Sequence, residues 1–145
     1  MRKYIFVLSV LLLAFALSAC GSGGKYKELK AVNGVVTISE SDVSDTEAHY
    51  FYTVVDGKEI KFFLIRAGDG VVRAAFDACD VCYPEKKGYR QEGSVMVCNN
   101  CGQKFDTSRI NEVKGGCNPS PLQRVSDGKQ ITVRVEDIRS GGMYF

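Results

Sequence analysis

The chain has 145 residues, a formal net charge of +2, one histidine and six cysteines. This length favours a single domain, and the small, scattered charge argues against a nucleic-acid partner. The single histidine excludes sites built from several histidines, so the cysteines carry most of the chemistry that the sequence can offer.

Residues 1–19 are predicted to be a lipoprotein signal peptide. Arg2 and Lys3 precede a thirteen-residue run, 5–17, that is apolar except for one serine and is short for a bilayer span of about 20 residues. The run ends in LSAC, which resembles a bacterial lipobox, so we expect cleavage before Cys20 and lipid on its thiol. The protein would then be anchored by lipid to the cell membrane, on its extracytoplasmic face. An ordinary secretion signal or an uncleaved anchor is the alternative.

The remaining chain is expected to comprise three parts. Residues 20–32, rich in Gly and Ser and then in Lys, are predicted to carry the anchor and a solvated tether. Residues 33–140 are predicted to form one cysteine-rich metal-binding domain. Residues 141–145 are predicted to be a frayed tail.

The domain is predicted to be all-β, an antiparallel sandwich or small barrel. A single helical turn is expected near residues 41–43, and no segment of the domain has a sustained helical period. Asp-Gly pairs predict turns at 56–57, 69–70 and 127–128. Strands are expected where β-branched and aromatic residues concentrate or alternate, at 35–38, 48–55, 59–66, 71–76, 94–97 and 130–136.

Two Cys-x-x-Cys pairs stand fifteen residues apart, Cys79 with Cys82 and Cys98 with Cys101. One such turn can direct two thiolates at one point, and a second turn from a neighbouring hairpin can complete a tetrahedron. The spacing therefore predicts a metal site made of four cysteines.

Residues around the second pair suit this site. Gly102 tolerates the positive φ of a tight turn. The backbone N–H groups of Asn99, Asn100 and Gly102 can donate hydrogen bonds to thiolates and so tune a metal centre.

Cys117 is a fifth thiol in a Gly-Gly-Cys-Asn-Pro loop. Gly116, Asn118 and Pro119 shape a loop that could bring backbone close to a buried centre. Cys117 is either an additional ligand or part of a lid, or it is a structural thiol outside the site. A closed zinc site has no use for it, whereas an iron–sulfur cluster or a Cu(I) site could.

Other interpretations of the cysteines remain open. Exported thiols tend to form disulfides, but five is an odd number, and thiol–disulfide redox chemistry would favour a strand-to-helix junction. A structural zinc or Cu(I) module is the other alternative. The carboxylates Asp77, Glu92 and Asp106 are scattered, without a paired base or nucleophile, so we expect no substrate chemistry of the protein's own.

The domain resembles the Rieske fold from about residue 34 to 138. Rieske proteins carry two cluster loops, each following a strand, and here Cys82 and Cys101 stand where that fold has histidines. Four motifs point to a closer resemblance: FDAC-x-x-C at 76–82, Gly88-Tyr89, C-x-x-C at 98–101 and GGCNP at 115–119. On these motifs the chain more closely resembles the FtrD-like membrane iron–sulfur family.

The resemblance implies an iron–sulfur cluster, with [2Fe–2S] favoured, that serves electron transfer or metal handling. It also implies a membrane partner in redox chemistry or iron transport. Many family members have several membrane spans, whereas this chain has the predicted lipid anchor instead. All-cysteine ligation implies a potential near about −400 mV, in contrast to about −150 to +300 mV for centres with two histidines.

Overall fold

The computed structural model describes residues 24–145, so the predicted signal peptide and Cys20 lie outside the described residues. Short strands in three small sheets dominate this part of the chain, which confirms the all-β prediction. The strands are β1 (Lys27–Glu28), β2 (Val35–Ser39), β3 (His49–Val55), β4 (Lys58–Arg66), β5 (Val72–Phe76), β6 (Tyr89–Glu92), β7 (Val95–Cys98), β8 (Lys104–Asp106), β9 (Val125–Ser126) and β10 (Gln130–Arg134).

The helical segments of the described residues are short. Single 3-10 turns span Glu40–Val43, Tyr83–Glu85, Thr107–Arg109 and Gly142–Tyr144, and one α-helix, α1, spans Val135–Ser140. The first of these turns coincides with the predicted helical turn at 41–43. None of the helices in residues 24–145 is long and apolar enough to cross a membrane.

The largest sheet has the strand order β1-β3-β4-β5. Its central hairpin joins β3 to β4 through Asp56 and Gly57, which have φ values of 52° and 78°. Two consecutive positive φ values define the two-residue turn that matches the twist of paired strands, as the Asp-Gly pair predicted. The remaining sheets have the orders β2-β10-β9 and β6-β7-β8.

Strand β4 separates two hydrophobic clusters. Because successive side chains of a strand point to opposite faces, Phe62 and Leu64 enter the cluster shared with β2 and β10, while Phe63 and Ile65 enter the other cluster. All four side chains are fully buried. The second cluster also contains Cys79, Cys98 and the packed residues of the sheet β6-β7-β8, so this core directly supports the cysteine loops.

The segment predicted as a solvated tether is in part ordered against the domain. Strand β1 pairs in parallel with β3, with Lys27 opposite Phe51. The Lys25 ammonium lies 2.8 Å from the Asp77 carboxylate, and the Tyr26 ring packs edge-on against Tyr50 at 5.9 Å. The prediction of a free tether is therefore wrong for residues 25–28, because composition alone did not reveal the buried carboxylate that attracts Lys25.

The C-terminal segment also differs from the prediction. Strand β10 ends at Arg134 instead of 136, and α1 then buries Ile138 completely. The Tyr144 ring, 8% exposed, packs against Phe76 with ring centroids 5.8 Å apart. The prediction of a frayed tail is wrong, because aromatic residues after Gly142 bury apolar surface that offsets the flexibility suggested by the glycines.

Candidate metal centre

The first cysteine loop begins where β5 ends at Phe76. Asp77 and Ala78 are buried and lead into Cys79, and the Cys82 amide donates to the Cys79 sulfur at 3.2 Å. The 3-10 turn at 83–85 closes the loop. This geometry places both sulfurs of the pair on the same side of one turn, as the Cys-x-x-Cys spacing predicted.

The second loop begins at Cys98, the last residue of β7. Gly102, with a φ of 74°, donates its amide to the Cys98 carbonyl at 2.9 Å, and the Cys98 amide donates to the Gln103 carbonyl at 3.0 Å. These bonds close the tight hairpin to β8. Gly102 therefore shapes the turn through its positive φ. Its amide donates to the Cys98 carbonyl and not, as predicted, to a cysteine sulfur.

The two asparagines of this loop have different partners. The Asn99 amide donates to the Gly88 carbonyl at 3.0 Å, and its side chain donates to the Lys87 carbonyl at 3.0 Å. Asn99 thus ties the two loops together and does not donate to sulfur, contrary to the prediction. Burial raises the pKa of Cys98, and the Asn100 amide, by contrast with that of Asn99, is one of the donors that oppose this rise.

The third loop brings Cys117 to the other cysteines. Asn118 closes a turn by donating its amide and its side chain to the Gly115 carbonyl, at 3.2 and 3.0 Å. Gly116 has a φ of 60° and is exposed, whereas Pro119 is buried. These three flanking residues shape the loop, and only Cys117 reaches the sulfur cluster.

All five sulfurs converge in two overlapping groups. In one group the sulfurs of Cys79, Cys82 and Cys117 lie within 4.8 Å of one another, and in the other those of Cys82, Cys98 and Cys101 do so. The Cys82 and Cys117 sulfurs are 3.6 Å apart. Each of the five is a free thiol, so the three loops present an unbridged set of sulfurs in which Cys82 belongs to both groups.

The cluster has a buried side and an open side. Cys79 and Cys98 are 1% and 2% exposed, Cys82 and Cys117 are partly exposed, and Cys101 is exposed. A ligand or partner can therefore approach the cluster from the Cys101 side, while the hydrophobic core excludes water from the Cys79 and Cys98 side.

The surroundings affect the thiols unequally. Burial raises the pKa of Cys79, but hydrogen bonds from Tyr89 and from the Cys82 and Val81 amides outweigh it, and the net pKa lies below the usual value. A hydrogen bond from the Gln103 amide likewise lowers the pKa of Cys101. The thiols of Cys79 and Cys101 are therefore more readily deprotonated than an ordinary cysteine.

The opposite holds at Cys98 and Cys117. Burial raises the pKa of Cys98 to about 11, although the amides of Cys101 and Asn100 oppose it. Burial, with hydrogen bonds to the neighbouring sulfurs of Cys101 and Cys82, also raises the pKa of Cys117. In the absence of a cation the cluster cannot ionise all its thiols together, since neighbouring thiolates repel each other.

The donor set fits a thiolate-bound metal. Both groups consist of cysteines alone, and sulfur ligands of this kind select zinc, Cu(I) or iron–sulfur clusters over hard cations such as Mg²⁺. A divalent cation or cluster would also favour the deprotonated thiols that the isolated sulfurs resist. The cysteine loops therefore suit the class of group that the spacing predicted.

Asp77 is a site residue whose importance the sequence did not indicate. Its side chain is fully buried, and it accepts hydrogen bonds from the Lys25 ammonium, the Tyr26 hydroxyl and the Tyr89 amide. It therefore joins the N-terminal segment, the first cysteine loop and β6. Its position two residues before Cys79 was the one signal available in the sequence.

Tyr89 connects the loops on their buried side. Its hydroxyl donates to the Cys117 carbonyl at 2.7 Å and also lies near Cys79, so these two acceptors compete for one hydrogen. Burial, followed by the interaction with Cys79, raises the pKa of the Tyr89 phenol. The hydroxyl therefore remains a donor at every physiological pH.

The other two carboxylates considered in the sequence lie at the surface. Glu92 pairs with Arg90 and Lys104, and Asp106 caps the 3-10 turn by accepting from the Ser108 amide. Neither lies in the sulfur groups.

Comparisons with known proteins identify the family of this chain. The family model described as "Membrane iron-sulfur containing protein FtrD-like" matches residues 43–145, and no curated protein matches the chain. Among solved structures, the chain is similar to the quaternary ammonium Rieske monooxygenase CntA in complex with an inhibitor. The identity is 15%, the TM-score is 0.48, and the match covers 72% of this chain and 32% of that one. The chain spans about a third of that enzyme, and so distant a likeness carries no argument about activity.

Because the family model covers most of its length, including all three cysteine loops, the chain belongs to the FtrD-like family of membrane iron–sulfur containing proteins.

Proposed function

We propose that this chain is an extracytoplasmic, lipid-anchored protein that transfers electrons or handles metal, with a [2Fe–2S] cluster bound by its cysteine loops. The observation that carries the proposal is the convergence of five free sulfurs from three loops. The name of the family supports the choice of an iron–sulfur group. A redox or iron-transport protein of the same membrane is the partner that we expect.

The four cysteines of the two Cys-x-x-Cys pairs are the proposed ligands. When bound, a [2Fe–2S] cluster accepts and releases a single electron. Cys79 and Cys98 hold the group on the side covered by the core, where water is excluded. Cys101 lies on the exposed side, where a redox partner can approach.

Ligand chemistry sets the expected potential. Thiolates carry more negative charge than imidazoles and stabilise the oxidised state, so we expect a value near about −400 mV instead of the range of about −150 to +300 mV found with two histidines. Amide donors, such as those of Cys82 and Asn100, favour the reduced state and raise the value somewhat. Since no histidine is among the proposed ligands, we expect little dependence of the potential on pH near neutrality.

Anaerobic purification of the full chain tests the proposal. Visible absorption, with iron and acid-labile sulfide bound in equal amounts, is the expected result. Colourless protein with stoichiometric zinc or copper, or with no metal, would overturn the cluster assignment. The cysteine-to-serine variants at 79 and 98 should lose the absorption, whereas a surface variant such as Ser41→Ala should retain it.

Thiol–disulfide exchange is a second candidate function. The Cys82 and Cys117 sulfurs are 3.6 Å apart, close enough to form a bond after a small adjustment of the loops. In this function the two thiols would form a disulfide while a partner disulfide is reduced to a dithiol, and a second dithiol would return them to thiols. Metal-free protein that catalyses this exchange, at a rate that metal chelation does not lower, would favour this function over the metal centre.

The anchor is tested separately. Mass spectrometry of the membrane fraction should find lipid on Cys20, and the Cys20→Ala variant should be released from membranes. Retention of that variant in the membrane fraction would contradict a lipid anchor at this residue.

A further inference from the structure

A cavity of about 340 Å³ lies beside the cysteine cluster, with Cys79, Cys82 and Cys98 in its wall. Cys101 and Cys117 are not part of this wall. Its volume is within the range of about 300–1,000 Å³ that is typical of small-molecule sites. Cys79, Cys82 and Cys98 belong to the proposed metal centre, but the lysines and aromatic residues in the rest of the lining hold no metal, so that part of the lining has to be explained separately.

The cavity is lined by an excess of positive charge. Lys58, Lys61, Lys86 and Lys87 contribute to its lining, and none of them is in an ion pair within residues 24–145. Of the acidic residues in the lining, the Asp77 carboxylate is already paired with Lys25, which leaves Glu59. Unpaired ammonium groups around a concave surface attract and concentrate anions.

The other part of the lining is aromatic. Tyr26, Tyr83, Tyr144 and Phe145 line the cavity, and the Tyr83 and Tyr144 rings pack edge-on, with centroids 5.7 Å apart. The Lys61 ammonium lies 5.2 Å from the centroid of the Tyr26 ring. Aromatic walls favour a ligand that has a ring of its own, because rings stack or pack edge-to-face.

We propose that this cavity binds a small organic anion that carries a planar aromatic ring. The ring packs among the tyrosines, and the anionic group lies near the ammonium groups of Lys61 and Lys86. The bound ligand covers Cys82 and lies against the cysteine cluster. The contacts to the ring and to the anionic group come from residues other than the proposed metal ligands, so this proposal can fail while the metal centre stands.

Three probes separate the contributions of ring and charge. Flavin mononucleotide has both, riboflavin has the same ring without the phosphate, and inorganic phosphate has the charge alone. Titration of the full chain, followed by calorimetry and by quenching of flavin fluorescence, should show that flavin mononucleotide binds at least about tenfold more tightly than either of the others. A fourth probe, the smaller aromatic anion 2-naphthoate, represents ligands without a ribityl chain. The proposal would be overturned if riboflavin or phosphate bound as tightly as flavin mononucleotide. It would also be overturned if neither flavin mononucleotide nor 2-naphthoate bound at millimolar concentration.

A pair of double variants tests the location. Lys61→Gln with Lys86→Gln should lower the affinity for the aromatic anion by about tenfold. Lys114→Gln with Lys129→Gln removes the same charge from exposed positions outside the cavity and should leave the affinity unchanged. An equal loss in both double variants would show that the anion responds to net charge and not to this cavity.

Alkylation of the metal-free protein provides a second measurement. Cys82 lines the cavity and Cys101 does not, so the aromatic anion should slow the reaction of Cys82 with iodoacetamide at least severalfold and leave that of Cys101 unchanged. Mass spectrometry of the peptides reads both rates in one sample. Protection of both cysteines, or of neither, would contradict binding at this cavity.

Discussion

The Asp77 carboxylate occupies the space into which Gly88 would project a β-carbon. An ideal β-carbon on Gly88 would lie 2.5 Å from the Asp77 Oδ2 atom, and Gly88 has a φ of +62°. The carboxylate also accepts a hydrogen bond from the next amide, that of Tyr89, at 2.7 Å. The loop before β6 is thus fitted closely to the residue that introduces the first cysteine pair.

We therefore expect Gly88→Ala to lower the free energy of unfolding by about 3 kcal/mol or more. A positive φ alone costs an alanine about 1 kcal/mol, and the contact with Asp77 adds to this cost. Gly93 is a matched control, because its φ is +59° but its β-carbon would meet nothing within 4 Å. Urea denaturation of both variants measures the difference, and equal losses would show that the Asp77 contact costs nothing.

Asp77→Asn should also destabilise the protein, by about 1–3 kcal/mol, because it leaves the Lys25 ammonium without its buried partner. Asp56→Asn is the control. Asp56 pairs with Arg139 at the surface and its side chain is 68% exposed, so its loss should cost less than about 1 kcal/mol. The same denaturation experiment applies, and a smaller loss for Asp77→Asn than for Asp56→Asn would refute the role assigned to this carboxylate.

The cysteines are expected to differ in their effect on metal content. Cys82 belongs to both sulfur groups, whereas Cys117 belongs to one. Cys82→Ser should therefore lose nearly all iron and sulfide, and Cys117→Ser should retain more than half. Metal and sulfide analysis of the anaerobic variants measures this order. Complete loss in Cys117→Ser would make Cys117 a ligand.

Acid should weaken the contact between Asp69 and Arg73. Hydrogen bonds from the Arg73 guanidinium, at 2.7 and 2.8 Å, lower the pKa of Asp69 to about 2. Because an unfolded Asp has a pKa of about 3.9, the pair stabilises the fold above about pH 4, and this contribution is lost as the pH falls to about 2. The difference in unfolding free energy between the native protein and Asp69→Asn should thus be largest at pH 7 and should nearly disappear by about pH 2. A difference that does not change with pH would contradict this origin.

The sequence predicted the turns and strands whose conformation depends mainly on their own residue types. Asp56-Gly57 predicted the central hairpin because two positive φ values select these residue types. The strands around it were found because their β-branched and aromatic residues are continuous or alternate. The convergence of the two Cys-x-x-Cys loops followed from the spacing between them.

Other features depended on contacts between distant residues. Strands β6 and β8 are short, and most of their residues are polar and at least partly exposed, so no hydrophobic pattern predicted them. The proximity of Cys117 to Cys82 arises from a loop 35 residues further along the chain, and the pairing of Lys25 with the buried Asp77 carboxylate spans 52 residues. Spacing rules are local and do not describe such contacts.

With the proposed lipid on Cys20, the contact of Lys25 with Asp77 would limit how far the cysteines can lie from a bilayer. A lipid on Cys20 would be five residues from Lys25, and a fully extended chain of that length spans at most roughly 18 Å. Lys25 contacts Asp77, which lies two residues before Cys79. The metal centre would therefore operate within a layer a few nanometres deep above the lipid headgroups. Only partners whose own docking surfaces lie in that layer could reach it.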